Sequence, residues 1–176
     1  MNHPSPDVLI SEEEIAIRVE ALGKAITQDF SGEEVVIICI LKGAFMFCSD
    51  LIKKINLPIK LEFMQLSSYG EGTSSSGNVK VEMDISGSIK DKNVLIVEDI
   101  VDTGLTMKTL KEVLGLRQPK TIKLASLLYK PSRNTHPANI EYLGFEIEDK
   151  FVIGYGLDYA GRYRELPYVG VLNAGN

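Results

Sequence analysis

An α/β fold, with a mainly parallel sheet flanked by helices, is what this sequence predicts, and two features predict it. Val35-Val36-Ile37-Ile38-Cys39-Ile40-Leu41 and Val94-Leu95-Ile96-Val97 are apolar, mostly β-branched runs without polar alternation. That pattern suits strands buried on both faces of a parallel sheet. Segments of helical periodicity alternate with them, as βαβ units require. Ligands of such folds bind beyond the carboxyl ends of the strands, so the residues that follow each run are where chemistry is expected.

Within residues 10–28, Ile15, Val19, Leu22 and Ile26 recur at helical spacing behind Ser11, a candidate N-cap, with acidic residues in the first turn. The run 35–41 follows, and Lys42-Gly43 ends it. Helical patterning returns over 44–55, and 59–66 alternates as a strand. Residues 67–77, Ser-Ser-Tyr-Gly-Glu-Gly-Thr-Ser-Ser-Ser-Gly, are small and polar and predict a mobile loop. A strand over 79–83, a turn near Gly87, a strand over 93–97, an acidic turn and a helix over 106–114 come next. Residues 123–129 predict a strand leading into a polar loop with Pro131 and Pro137, and short strands are expected near Tyr142, over 151–153 and over 169–172.

With 176 residues and 44% hydrophobic content, the chain suffices for one core and is short for two ordinary domains, so one domain over 1–176 is expected. A net charge of -5 argues against a dominant nucleic-acid surface, which needs clustered Lys and Arg. Neither a basic-flanked apolar leader nor a run of about eighteen apolar residues is present, so no membrane partner and a cytoplasmic location are expected. Cys39 and Cys48, the only cysteines, are expected as buried free thiols, and two are too few for a cysteine-rich zinc site. His3 and His136 stand apart in sequence and give little support to a histidine-based site.

The strongest chemical signal is Val94-Leu95-Ile96-Val97-Glu98-Asp99-Ile100-Val101-Asp102-Thr103-Gly104-Leu105-Thr106. A buried strand delivers three carboxylates and then a Thr-Gly-x-Thr turn into a helix start, where free N–H groups attract phosphate. Carboxylates beside a phosphate repel it unless they serve sugar hydroxyls, a proton or a metal ion, and ionised carboxylates are pure acceptors suited to ribose. The Lys and the glycine spacing of a P-loop are missing.

This segment resembles the phosphoribosyl pyrophosphate signature of type I phosphoribosyltransferases, and nearly the whole chain is similar to the hypoxanthine-guanine phosphoribosyltransferases. Leu41-Lys42-Gly43, Ser67-Ser68-Tyr69-Gly70, the acidic signature, and Asp149-Lys150-Phe151-Val152 with Leu157-Asp158-Tyr159 and Arg164 agree in order. The resemblance implies the type I fold, with a small hood formed by terminal segments. It implies that Glu98 and Asp99 face the ribose hydroxyls, directly or through Mg²⁺, and that Thr103, Gly104, Leu105 and Thr106 wrap the 5′-phosphate. Asp102 would hydrogen-bond purine N7 and act as general base. Lys42 and Gly43 would form a pyrophosphate loop whose preceding peptide can be cis, and Arg164 would pair with pyrophosphate. Lys130 would donate to the purine 6-oxygen, Phe151 would stack on the base, and the Val152 main chain would touch its edge. Asp158 would bind a magnesium ion or serve the base's 2-amino group. Ser68 and Tyr69 would close over the site and exclude water.

The implied activity joins hypoxanthine or guanine to phosphoribosyl pyrophosphate with Mg²⁺ as cofactor, in a homodimer or homotetramer. Two rivals are weighed: a xanthine- or pyrimidine-preferring relative, and a nucleotide-sensing, RNA-binding regulator on the same fold. Lys130 with Phe151 favours an oxopurine over a pyrimidine, and the acidic balance disfavours the regulator.

Overall fold

The computed structural model describes residues 6–68 and 79–172. In chain order its elements are β1 (Asp7–Ile10), α1 (Glu12–Phe30), β2 (Val35–Leu41), α2 (Phe45–Ile52), β3 (Ile59–Ser68), β4 (Val79–Met83), β5 (Asn93–Val101), α3 (Leu105–Gly115), β6 (Thr121–Tyr129), a 3₁₀ turn (Pro131–Arg133), β7 (Tyr142–Glu146), β8 (Val152–Ile153) and β9 (Val169–Val171). Six strands form one sheet in the order β4-β3-β2-β5-β6-β7. All pairings in it are parallel except that of β4, which lies antiparallel on the edge against β3.

Side-chain alternation along the central strands explains why the sequence shows no polar alternation. From β2, Val35, Ile37 and Cys39 point to one face and pack with α1 and α2, while Val36, Ile38 and Ile40 point to the other and pack with α3, Ile85 and Ile89. Both faces are covered, so each position is apolar. The expected cap of α1 is present as a reciprocal pair: Ser11 Oγ accepts from the Glu14 N–H at 3.2 Å, and the Glu14 carboxylate accepts from the Ser11 N–H at 2.8 Å. Cys39 and Cys48 are free and buried, as expected. No helix among the described residues is long and apolar enough to cross a membrane.

The terminal segments meet in a second, three-stranded antiparallel sheet of order β1-β9-β8. Ile10, Val152, Tyr155, Leu157 and Val169 from this region join the core on the α1 and α2 side. This is the expected hood.

Four local expectations are corrected. β1 stands where no strand was expected, because its pairing partner is β9, about 160 residues away. Strand β5 runs through the acidic residues to Val101 rather than turning at Glu98, since β6 continues to pair with it as far as Val101 opposite Tyr129. Ser67 and Ser68 extend β3 opposite Lys80 and Val79 instead of opening the loop, whose remainder, 69–77, lies outside the described residues. Phe151 precedes β8 rather than belonging to it.

Candidate active site

Strand β2 pairs with β5 only as far as Cys39 opposite Val97. Immediately beyond, β5 carries Glu98 and Asp99, and β2 leads into Lys42 and Gly43. The sheet therefore opens where the acidic pair begins. The Leu41–Lys42 peptide is cis.

Gly43 is the point of closest approach. A Cβ there would overlap the Asp99 carboxylate, and one on Gly156 would overlap the Gly43 carbonyl, so the lack of side chains at both positions lets three segments touch. Gly156, at φ 98°, belongs to a hook that also takes Gly154 and Tyr155 through positive φ. Arg164 Nη1 donates to the Gly156 carbonyl at 2.6 Å, and its Nη2 lies 2.8 Å from Asp158 Oδ1. Asp158 Oδ2 accepts from the Gly161 N–H at 2.7 Å. Lys42 itself is exposed.

Glu98 is buried and half of its carboxylate is committed: Oε1 accepts from the Asp99 N–H at 2.8 Å, and Asp99 Oδ1 accepts from the Ile100 N–H at 2.6 Å. Burial and the neighbouring Asp99 charge push the Glu98 carboxyl well above the ordinary range. Two adjacent carboxylates, one of them disfavoured as an anion, form a hard oxygen donor pair that a divalent cation would relieve. Among the described residues no group of three or more His, Cys, Asp or Glu could hold a metal ion together. Asp158 is thus not gathered with Glu98 and Asp99; it belongs to the Arg164 cluster.

Beyond β5 a cavity of about 120 Å³ is lined by Glu98, Ile100, Val101, Asp102, Thr103, Gly104, Thr106 and Met107. Leu105, the first residue of α3, borders this turn. Gly104, at φ 84°, is the N-cap of α3 and offers no side-chain cap; the Leu105 N–H donates to Thr103 Oγ1 at a long 3.4 Å, and the rest of the first turn keeps donors for a ligand. A larger hollow, about 460 Å³ between α1, α2 and the hook, contains none of the predicted site residues.

The loop after β6 is tied to this turn by main-chain bonds: Lys130 N–H donates to the Val101 carbonyl at 3.0 Å, and the Thr135 and His136 N–H groups donate to that of Thr103 at 3.1 and 3.0 Å. Lys130 is only 7% exposed, and its ammonium lies 3.3 Å from Asp149 Oδ1. Phe151, by contrast, is 56% exposed and touches the Tyr159 ring edge-on at 5.7 Å, while Val152 is buried. The Lys130–Asp149 pair brings the end of β6 to the segment that carries Phe151. Ser68 ends β3, and Tyr69 lies outside the described residues.

Three residues here escaped sequence reasoning: Arg133, Asn134 and Asp149. Arg133 Nε lies 2.8 Å from Asp102 Oδ1, and its Nη1 lies 3.5 Å from Asp149 Oδ2. The Asp102 contact is an ion pair without hydrogen-bond alignment, so that Oδ1, buried as an atom, accepts no hydrogen bond; Asn134 Nδ2 is buried and unpartnered in the same loop. Asp149 stands in the sequence as the first residue of a family motif with no role of its own, and an isolated Arg in a polar loop carries no periodic signal.

The family model described as Phosphoribosyl transferase domain matches residues 9–160. The hypoxanthine phosphoribosyltransferase of Salmonella typhimurium is 48% identical over 166 residues, 93% of each chain. The hypoxanthine-guanine phosphoribosyltransferase of Bacillus subtilis is 47% identical, over 98% of this chain and 96% of its own. A crystal structure of a hypoxanthine-guanine phosphoribosyltransferase from Bacillus anthracis superposes with a TM-score of 0.92 at 44% identity, covering 95% of this chain and 98% of that one. On this fold, this acidic turn and these matches, the chain belongs to the phosphoribosyl transferase family and groups with its hypoxanthine-guanine members.

Proposed function

We propose that this chain is a purine-salvage enzyme that moves the 5-phosphoribosyl group from phosphoribosyl pyrophosphate to hypoxanthine or guanine, giving IMP or GMP and pyrophosphate. The observation that carries this reading is the small acid-lined cavity at an uncapped helix start, with the buried cation of Lys130 on the loop bonded to it. The N–H groups of 103–106 and the Thr103 and Thr106 hydroxyls suit a 5′-phosphate, and Glu98 and Asp99, acceptors when ionised, suit ribose hydroxyls. Glu98 and Asp99 would hold Mg²⁺, whose chemistry here is to balance the charge of pyrophosphate, and Asp158 would serve a second such ion or the base's 2-amino group.

Lys130 donates to the purine 6-oxygen. Its ammonium has no acceptor capacity, so although Asp149 takes one of its hydrogens, adenine's amino group would face it donor to donor in a buried position. Phe151 offers its exposed ring face to the base, and the Val152 main chain borders the base edge. Lys42, the Gly43 amide and Arg164 face the pyrophosphate, and Ser68 and Tyr69 close over it. Asp102 takes the proton that the purine nitrogen must lose. The displacement at the anomeric carbon needs no covalent enzyme intermediate, so positioning and electrostatics carry the rate. We place the enzyme in the cytoplasm as a homodimer or homotetramer without nucleic-acid partners, a state that sedimentation of the purified protein would read directly.

Pyrophosphate release from phosphoribosyl pyrophosphate, measured in turn with hypoxanthine, guanine, xanthine, adenine and uracil, tests the reading. Hypoxanthine and guanine should lead, and adenine should trail by about 10⁴-fold in kcat/KM, the scale on which hydrogen-bonding sites reject a mismatched group. Faster turnover with xanthine or uracil, or release with no base at all, overturns it.

A further inference from the structure

Arg133 touches two carboxylates at once, and none of the roles above uses it. Its Nε stands 2.8 Å from Asp102 Oδ1 and its Nη1 3.5 Å from Asp149 Oδ2, while Asp149 Oδ1 accepts from Lys130 Nζ at 3.3 Å. The four side chains form one alternating row of charge, Asp102, Arg133, Asp149, Lys130. It runs from the residue assigned the purine proton to the residue assigned the purine 6-oxygen.

Two observations make this row more than a surface ion pair. First, the loop bearing Arg133 is fixed at both ends to the turn bearing Asp102, through the Lys130 N–H to Val101 and the Thr135 and His136 N–H groups to Thr103. The Arg133 backbone is therefore held beside Asp102, and its side chain is held there by its contacts with Asp102 and Asp149. Second, although the Asp102 side chain is 39% exposed, its Oδ1 atom is sealed from solvent and has the Arg133 Nε within ion-pair distance without hydrogen-bond alignment. A sealed carboxylate oxygen that is charge-paired but poorly aligned with its partner keeps acceptor capacity to spare. Such an atom is ready for a donor supplied by a ligand.

We propose that Arg133 is a positioning residue for Asp102. It holds the carboxylate by charge while leaving Oδ1 open to the N–H of the incoming purine, and Asp149 fixes Arg133 in place and shares its charge with Lys130. The inference rests on the assignment of the purine proton to Asp102.

Steady-state kinetics on the full chain test it with Arg133→Gln, Arg133→Lys, Asp102→Asn and the double variant R133Q/D102N. Arg133→Gln should lower kcat about tenfold with KM for phosphoribosyl pyrophosphate unchanged, and Arg133→Lys, which keeps the charge, should recover part of that loss. In the Asp102→Asn background, Arg133→Gln should cost nothing further, because residues acting through one another are not additive. Should Arg133→Gln melt below assay temperature, Arg133→Lys and R133K/D102N carry the same comparison. An undiminished kcat in Arg133→Gln, or an equal loss with and without Asp102, overturns the role of Arg133 and leaves that of Asp102 standing. An undiminished kcat in Asp102→Asn overturns the assignment of the proton, and the inference falls with it.

Discussion

The two halves of strand β5 obey different rules. Over Asn93–Val97 it is hydrogen-bonded on both sides, to β2 and to β6, and Val94, Leu95, Ile96 and Val97 are fully buried. From Glu98 onward β2 no longer pairs with it, β6 alone does, and the next residues are carboxylates. The first half is chosen for packing, where each buried aliphatic side chain contributes about 1.5–3 kcal/mol. The second half carries a buried, electrostatically disfavoured Glu98 beside Asp99, an arrangement that packing alone does not reward. One strand thus places rigid anchorage next to chemistry, with the boundary at the residue where a neighbour departs.

Substitutions on either side should separate the two properties. Glu98→Gln is expected to lower kcat/KM by about 10²-fold while raising the melting temperature in EDTA by about 2 °C, since it removes a charge that burial opposes. The sign follows from the raised carboxyl: the wild-type protein without divalent ions should lose stability as pH rises above the ordinary carboxyl range, and the Gln variant should not. Equal activity, or a lower melting temperature, would break the contrast. Ile96→Ala, two residues earlier, should do the reverse, costing ~2–5 kcal/mol in urea unfolding while the folded fraction keeps its kcat.

Gly43→Ala probes the seam between the halves. Its Cβ would meet the Asp99 carboxylate, so a loss of about tenfold in kcat/KM, carried by KM for phosphoribosyl pyrophosphate, is expected in a steady-state assay. The smallest effect belongs far from the site, at Asp29. The Tyr142 hydroxyl, donating at 2.7 Å, holds this carboxyl below its usual range, with Lys123 adding to it. A depressed carboxyl stabilises above its unfolded value and loses that contribution as pH falls through the folded one. Asp29→Asn should therefore cost under about 1 kcal/mol at neutral pH, given its exposure to solvent, and nothing at pH 2, as thermal melts at the two pH values would read.

What the sequence made legible follows the same division. The run 35–41 announced β2 to the residue because both faces are covered, and the helical stripe of Ile15, Val19, Leu22 and Ile26 announced α1 with its Ser11 cap. β1 was silent, since four residues pairing with a strand at the far end of the chain leave no local period. The Thr-Gly-x-Thr turn and Lys130 were readable by motif and position. Arg133 and Asn134 were not, because their significance lies in where the loop after β6 is tied, and those ties are main-chain bonds that no side chain encodes.

The meeting of Gly43, Asp99 and Gly156 carries a consequence for biosynthesis. The two glycine backbones and the Asp99 carboxylate come from widely separated stretches of chain and approach closely only when all three are in place. A nascent polypeptide halted before Gly156 would hold most of its central sheet yet lack the last wall of the crevice. Catalytic competence should therefore appear all at once after Gly156 has been made, not in proportion to the length already made.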